Sequence, residues 1–441
     1  MSPSADTLIT ARWIVPVVPQ NAKLEHHALV IAQGAIIDLL PASAALERYP
    51  ATRVIDLPNH VVIPGLINLH AHAAMTLMRG LADDLPLMPW LRDHVWPAES
   101  KVVSAEYVRD GTLLACAEML RGGVTCFNDM YFFPEAAAQA ALQARLRAAI
   151  GIIALEFPSA YATDASDYLS KGIALRDTLR DESLLSFCLA PHAPYTVSDA
   201  TFERIAVYAA ELDLPIHTHL HETQDEIRDS LTAHGVRPLQ RLKNLGLLGP
   251  NLIAVHAVHL TPGEIALLAE HGCHVAHCPT SNLKLASGLA SIPALSQAGV
   301  NVGLGTDSAA SNNRLDMLSE LRLAALLGKH GARDAAAFPA HQALEMATLN
   351  AARALGLDTK IGSLEIGKRA DITAVNLGAL ELSPCYDPLS HLAYAAGREN
   401  VSHVWVDGAL LVEDGALLHI DTSEIMARAG YWRDKIIASR Q

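Results

Sequence analysis

Residues 64–72 read "PGLINLHAH", an apolar run behind Pro64-Gly65 that ends in two histidines, His70 and His72. A short apolar run bounded by turn formers fits a buried β-strand. On a strand, residues i and i+2 share one face, roughly 7 Å apart. Two imidazoles so placed can converge on a single ion a little over ~2 Å from each. An isolated His-x-His can equally be two polar side chains at a strand end, so the rest of the chain has to decide.

Seven further runs of the same kind follow: "GVTCFNDM" (123–130), "RAAIGIIAL" (147–155), "LLSFCLAPH" (184–192), "LPIHTHLHE" (214–222), "LIAVHAVH" (252–259), "CHVAHCP" (273–279) and "NVGLGTD" (301–307). Longer helical stretches separate them. One includes "AEYVRDGTLLACAEMLRGG", with apolar residues at helical spacing and glycines to stop it. Alternating strands and helices predict βα units and a parallel sheet. Eight such units predict an α/β fold with a closed (β/α)8 TIM-type barrel over residues 64–365. Residues 1–63 and 366–441 read instead as short strands and turns, with a hairpin punctuated by Asp407-Gly408 and Asp414-Gly415. The two flanks are expected to join in one small composite β-sandwich domain.

The chain has 441 residues, 51% of them hydrophobic, and a formal charge of −14. The first two figures allow a large core. The charge argues against a nucleic-acid partner, which needs clustered Lys and Arg opposite phosphates. The six cysteines are scattered without a C-x-x-C pair and read as reduced thiols in a cytoplasmic protein. Neither a signal peptide nor an 18-residue apolar run is visible, so no membrane partner is expected.

Active sites of barrels gather where strands end. Here His70 and His72 stand on the first strand, His192 on the fourth, His219 on the fifth, His256 on the sixth and Asp307 on the eighth. One histidine is usually a satisfied core residue, but five of eight strands ending in metal-capable groups is a pattern. "HTHLH" leaves a choice among His217, His219 and His221; His219 is the middle one, level with the others, and Glu222 follows past the strand end. His259, His271, His274 and His277 are given packing or loop roles. Three imidazoles and a carboxylate suit zinc or another first-row divalent ion. The fourth strand has no lysine to bridge a second ion, so one metal per chain is expected. An ion with an open position ionises water near neutral pH.

The chain resembles the amidohydrolase superfamily over essentially its full length, through "PGLINLHAH", His219-x-x-Glu222, His256, "LGTDSAASNN" and "GSLEIGKRADI". More narrowly it is similar to the 5′-methylthioadenosine/S-adenosylhomocysteine deaminases, through "GLADDLPLMPWLRDHVWPAE", "NDMYFFP", "PHAPYTVS", "HLHET" and "CPTSNLKLASG". The resemblance implies zinc ligands His70, His72, His219 and Asp307. It also implies substrate contacts from Trp90, Glu99, His192, Glu222 and Asp307, and catalytic roles for Glu222, His256 and Asp307. From the residues alone, Trp90 reads as a packing plug and Glu99 as a helix N-terminal charge. The implied reaction is hydrolytic deamination at C6 of adenine nucleosides, with Glu222 protonating N1, Asp307 moving the water's proton and His256 beside the nucleophile. A small-molecule nucleoside partner and a homo-oligomer are expected.

The other zinc deaminase architecture, with H-x-E and P-C-x-x-C ligands, is absent, since Tyr386-Asp387-Pro388 follows Pro384-Cys385. The alternative is a hydrolase or deaminase of the same fold acting on a guanine, pterin or triazine ring; a non-catalytic binder would be expected to have lost ligands. Within the nucleosides, the segment 148–170 carries Glu156, Asp164 and Asp167 but no Lys or Arg to meet an amino acid carboxylate. This absence predicts a preference for 5′-methylthioadenosine over adenosine and S-adenosylhomocysteine, with apolar cover from Phe157, Tyr161 or Trp90. Arg314 is a possible substitute cation. The path of loop 156–170 does not follow from the sequence.

Overall fold

The structure is a computed structural model that describes residues 5–440. Eight strands, β1 (Ala5–Ile14), β2 (Leu24–Ala32), β3 (Ala35–Pro41), β4 (Ala51–Pro64), β13 (Ile372–Asn376), β14 (Val401–Val406), β15 (Ala409–Glu413) and β16 (Ala416–Leu417), come from the two ends of the chain. They form one mixed sheet in the order β16-β15-β14-β13-β4-β1-β2-β3. The ends meet where β13 runs antiparallel to β4, with Ala374 opposite Val62. Ile9, Leu29, Ile36, Val62, Ile372 and Trp405 pack into a shared apolar cluster. The expected hairpins hold, with Asp407 and Asp414 at φ of 53° and 49° before their glycines. Asp is among the few residues that enter this region readily.

The other sheet is the barrel: β5 (Leu66–Ala71), β6 (Val124–Asp129), β7 (Arg147–Ala154), β8 (Leu185–Pro191), β9 (Ile216–Leu220), β10 (Leu252–His256), β11 (His274–His277) and β12 (Asn301–Leu304), in sequence order and parallel. All eight runs read from the sequence are strands. The intervening helices have the expected stops and starts. In the helix Ala105–Arg121, the Ser104 side chain accepts the Tyr107 N–H, and Gly122-Gly123 ends the helix. Pairing runs from β5 round to β12 without a registered ladder between those two. The seam is closed by Asp307 N–H donating to the His70 carbonyl (3.0 Å) and Thr306 N–H to Asn68 Oδ1 (2.9 Å). Gly305 permits this approach, because a Cβ there would lie 2.8 Å from the His70 nitrogen.

Alternation along β5 splits the strand. Ile67 and Leu69 pack outward on Ala351 and Ala352, which leaves Asn68 and His70 for the barrel interior. At the opposite end of the barrel from the histidines, Arg147 joins the two sheets. Its guanidinium grips Asp371 in bidentate fashion (2.9 and 3.1 Å), and both side chains are buried. All six cysteines are free. Among the described residues, no helix is long and apolar enough to cross a membrane.

Candidate active site

His70, His72 and His219 bring their ring nitrogens within 4.8 Å of one another, and so, as a second set, do the ligand atoms of His70, His256 and Asp307. The rings are fixed from behind. His72 Nδ1–H donates to the Met130 carbonyl (2.6 Å), and His219 Nδ1–H donates to the His192 carbonyl (2.6 Å). His70 Nδ1 meets His217 Nε2 at 2.9 Å. A proton spent on each Nδ1 leaves each Nε2 as a lone pair facing inward, the tautomer that ligation requires.

Those lone pairs crowd one another. His219 Nε2 lies 3.2 Å from His70 Nε2, and Asp307 Oδ1 lies 3.3 and 3.4 Å from the Nε2 atoms of His70 and His72. Burial pushes His70 down to about 4 and His219 well below its ordinary value, so neither imidazole is charged near neutral pH. Four ligand atoms crowded around one buried point fit a divalent cation. Asp307 is set for this task by strain and by hydroxyls. It sits at φ 60°, and its Oδ2 accepts from Ser281 (2.6 Å) and Ser311 (2.8 Å), which turns Oδ1 inward.

Above these groups opens a cavity of 680 Å³, whose lining includes Trp90, Glu99, His192, Glu222 and His256 as well as His72, His219 and Asp307. His70 lies beneath, with no exposed surface. The structure thus brings together all nine residues singled out from the sequence. His256, at φ 69°, donates Nδ1–H to Asn282 Oδ1 (2.8 Å), so its Nε2 faces the cavity as an acceptor, 3.8 Å from Glu222 Oε2. Burial raises the Glu222 carboxyl above its ordinary value, against the pull of His256. Burial lowers His192 to about 3. Its Nδ1 lies 3.1 Å from Thr196 Oγ1. Glu99, on the helix Trp96–Val102, accepts from the Tyr131 hydroxyl at 2.5 Å, and burial nonetheless raises its carboxyl to about 7.

Several expectations change. His221, the last of the three choices in "HTHLH", is not on the ligand face of the strand. It lies past the end of β9 at φ 56°, and its Nε2 accepts the Leu239 N–H (3.0 Å). Tyr161 does not line the cavity but packs on Phe133 and Tyr168, whereas Phe157 does line it. The acids of segment 156–170 also point elsewhere: Glu156 accepts Ser198 N–H, Asp164 caps the helix Ala165–Leu179, and Asp167 pairs with Lys171. None of the three lines the cavity. Arg314 is paired with Asp316 at 2.8 Å and is outside the cavity. Among the described residues, no lysine or arginine lines it. The sequence reading missed the supports, namely His217, Tyr131, Asn282, Ser281, Ser311 and Glu226. Four of the six lie in "NDMYFFP", "CPTSNLKLASG" and "LGTDSAASNN", stretches that carried the resemblance without a role for these residues.

Residues 61–411 match the profile described as Amidohydrolase family. The chain is 50% identical to the 5-methylthioadenosine/S-adenosylhomocysteine deaminase of Saccharophagus degradans, with 99% of this chain and 98% of that one covered. Its likeness to the enzyme of the same name from Teredinibacter turnerae has the same identity and coverage. Among solved structures, an adenosine deaminase from Xanthomonas campestris with bound zinc superposes with a TM-score of 0.98 at 48% identity, covering 99% of this chain and all of that one. An atrazine chlorohydrolase from Arthrobacter aurescens, also solved with zinc, reaches 0.88 at 26% identity, over 97% of this chain and all of that one. The chain belongs to the amidohydrolase family, and within it to the 5-methylthioadenosine/S-adenosylhomocysteine deaminases.

Proposed function

We propose that the protein is a cytoplasmic homo-oligomer that deaminates adenine nucleosides hydrolytically at C6, with one zinc ion per chain and 5′-methylthioadenosine as its preferred substrate. One observation carries the reading. A carboxyl group whose hold on its proton is strengthened by burial, Glu222, lines the same cavity as the imidazoles and Asp307 that converge beneath it, 3.8 Å from His256 Nε2. Deamination of a heteroaromatic ring needs an acid for the ring nitrogen and a base for the attacking water, and these two carboxyl groups supply one each.

In this reading His70, His72, His219 and Asp307 hold the zinc. The ion, when bound, supplies the Lewis acidity that lowers the pKa of water toward neutrality. The chain's own groups do the rest. Asp307 Oδ1 accepts the proton of the attacking water, while Ser281 and Ser311 hold its other oxygen still. His256 Nε2, with its proton fixed on the Asn282 side, accepts a hydrogen bond from the same water and orients it. Glu222 donates to N1, so that C6 can become tetrahedral without a full negative charge on the ring. Asp307 then returns its proton to the departing amine, the C6–N bond breaks to release ammonia, and the proton left on the C6 hydroxyl passes to the Glu222 carboxylate as the 6-oxo group forms. Each such acid–base contribution is worth about 10²–10⁴-fold.

Glu99 accepts the ribose hydroxyls, His192 stands beside them, and Trp90 with Phe157 covers the 5′ substituent. A methylthio group asks only for that apolar cover. An amino acid carboxylate would find no cationic partner in the lining. The reducing compartment is supported by six free cysteines.

The test is ammonia release by zinc-loaded enzyme from 5′-methylthioadenosine, adenosine, S-adenosylhomocysteine, guanine and a chlorotriazine. The expected order puts 5′-methylthioadenosine first in kcat/KM, with S-adenosylhomocysteine at least about tenfold lower, or ~1.4 kcal/mol of transition-state binding. Equal consumption of the two thioethers in competition refutes the preference. Turnover of guanine or triazine alone refutes the substrate class. Light scattering on the purified chain checks the homo-oligomer.

A further inference from the structure

We propose that Glu226 is a positioning residue that holds Glu222 at its height over the substrate ring. The inference rests on the reading of Glu222 as the N1 proton donor.

The backbone after β9 has to leave the barrel wall and turn Glu222 back over the cavity. It does so through His221 in the left-handed region, φ 56°. The turn frees two consecutive backbone N–H groups, those of His221 and Glu222, in a buried place. Both donate to one side chain: His221 N–H to Glu226 Oε1 at 2.9 Å, and Glu222 N–H to Glu226 Oε2 at 2.8 Å. Glu226 is itself only 6% exposed. Its own N–H is held by the Thr223 side chain, which caps the helix Gln224–His234. The chain therefore folds back on itself over five residues, and the helix start grips the strand end. Glu226 is not among the residues lining the substrate cavity. It acts on the reaction only through the residue it holds.

The chemistry of the clamp is specific. Two donors side by side are matched by the two oxygens of a carboxylate. Glutamine offers one oxygen and one NH₂, so one N–H would face another donor. Aspartate keeps both oxygens on a shorter stem. A displacement of about 1 Å in a catalytic group can cost as much as ~10²-fold in rate.

The experiment compares Glu226→Gln, Glu226→Asp, Glu222→Gln and the double Gln variant, each zinc-loaded and assayed with 5′-methylthioadenosine. Glu226→Gln should hold its full metal content and keep KM within about threefold, while kcat falls at least about tenfold. Glu226→Asp should lie between it and the parent. The double variant should be no slower than Glu222→Gln alone, because the clamp has nothing left to position. A binding measurement supplies a readout apart from turnover. Parent enzyme should bind the inosine-type product more tightly than its 1-deaza analogue, and Glu226→Gln should shrink that difference at least about threefold while leaving the analogue's affinity alone. A kcat within twofold of the parent in Glu226→Gln, a loss that falls on KM, or a further loss in the double variant overturns the assignment. If Glu222→Gln itself turned over like the parent, the N1-donor reading would fail instead, which is a separate result.

Discussion

Glu99 offers a test in which the direction of a pH effect is fixed by the structure. Its carboxyl is raised to about 7 by burial, with the Tyr131 hydroxyl pulling the other way. If Glu99 binds the ribose diol by accepting two hydrogen bonds, only the ionised form is competent. Below pH 7 most of the enzyme must first lose a proton, so nucleoside affinity should rise with pH and level off above 7. For a single group of pKa ~7, the competent fraction is ~9% at pH 6 and ~91% at pH 8, about a tenfold change in apparent Kd, or ~1.4 kcal/mol. Titration of Glu222 would confuse a kinetic assay, so the measurement belongs in the Glu222→Gln background, by calorimetry with 5′-methylthioadenosine and with zinc content checked at both pH values. Tyr131→Phe removes the hydrogen bond that favours the ionised form, so it should move the midpoint to higher pH. Glu99→Gln should abolish the pH dependence. A flat affinity between pH 6 and 8, or the same slope with a 2′,3′-dideoxy nucleoside, would refute the reasoning and remove Glu99 from the ribose site.

Two more outcomes are expected. His219→Ala and Asp307→Ala should each lose most of the roughly one equivalent of zinc expected from a four-ligand site; elemental analysis showing two equivalents, both needed for activity, contradicts the single-ion reading. Arg147→Ala should destabilise the fold by about 3–5 kcal/mol, because it leaves the buried Asp371 carboxylate without its partner; a urea midpoint close to the parent's would show that the ion pair is dispensable.

The barrel was legible because each strand is a short apolar run whose boundaries are chemical, as in Pro64-Gly65 before β5. His70, His72, His192, His219, His256 and Asp307 were legible as a group because each falls at or just past the end of an apolar run, while the choice of four of them as ligands came from the family resemblance. What could not be read is what stands behind them. His217 supports His70 across the barrel from another strand, and Tyr131 reaches Glu99 from the loop after β6. Those pairings depend on barrel closure, which brings together residues distant in the chain. Where the acids of loop 156–170 point could not be read for a related reason. A carboxylate in a loop repels a ligand only if it faces the cavity, and Asp164 and Glu156 spend their oxygens on backbone N–H groups instead. His221 broke the period-two rule because one left-handed residue ends the alternation.

The seam of the barrel has a consequence for how the site comes into being. Asp307 N–H closes the ring by donating to the carbonyl of His70, so the last strand and the first meet through two residues that also face the same buried point. These residues come from opposite ends of the barrel sequence, and the loop between them is among the longest the chain must close. No partly synthesised barrel, and no fragment lacking β12, can present the whole constellation. An ion bridging His70 and Asp307 would in turn act as a rivet across that seam, so the event that arms the chemistry would also lock the ring shut, and uptake of the ion would report that folding is complete.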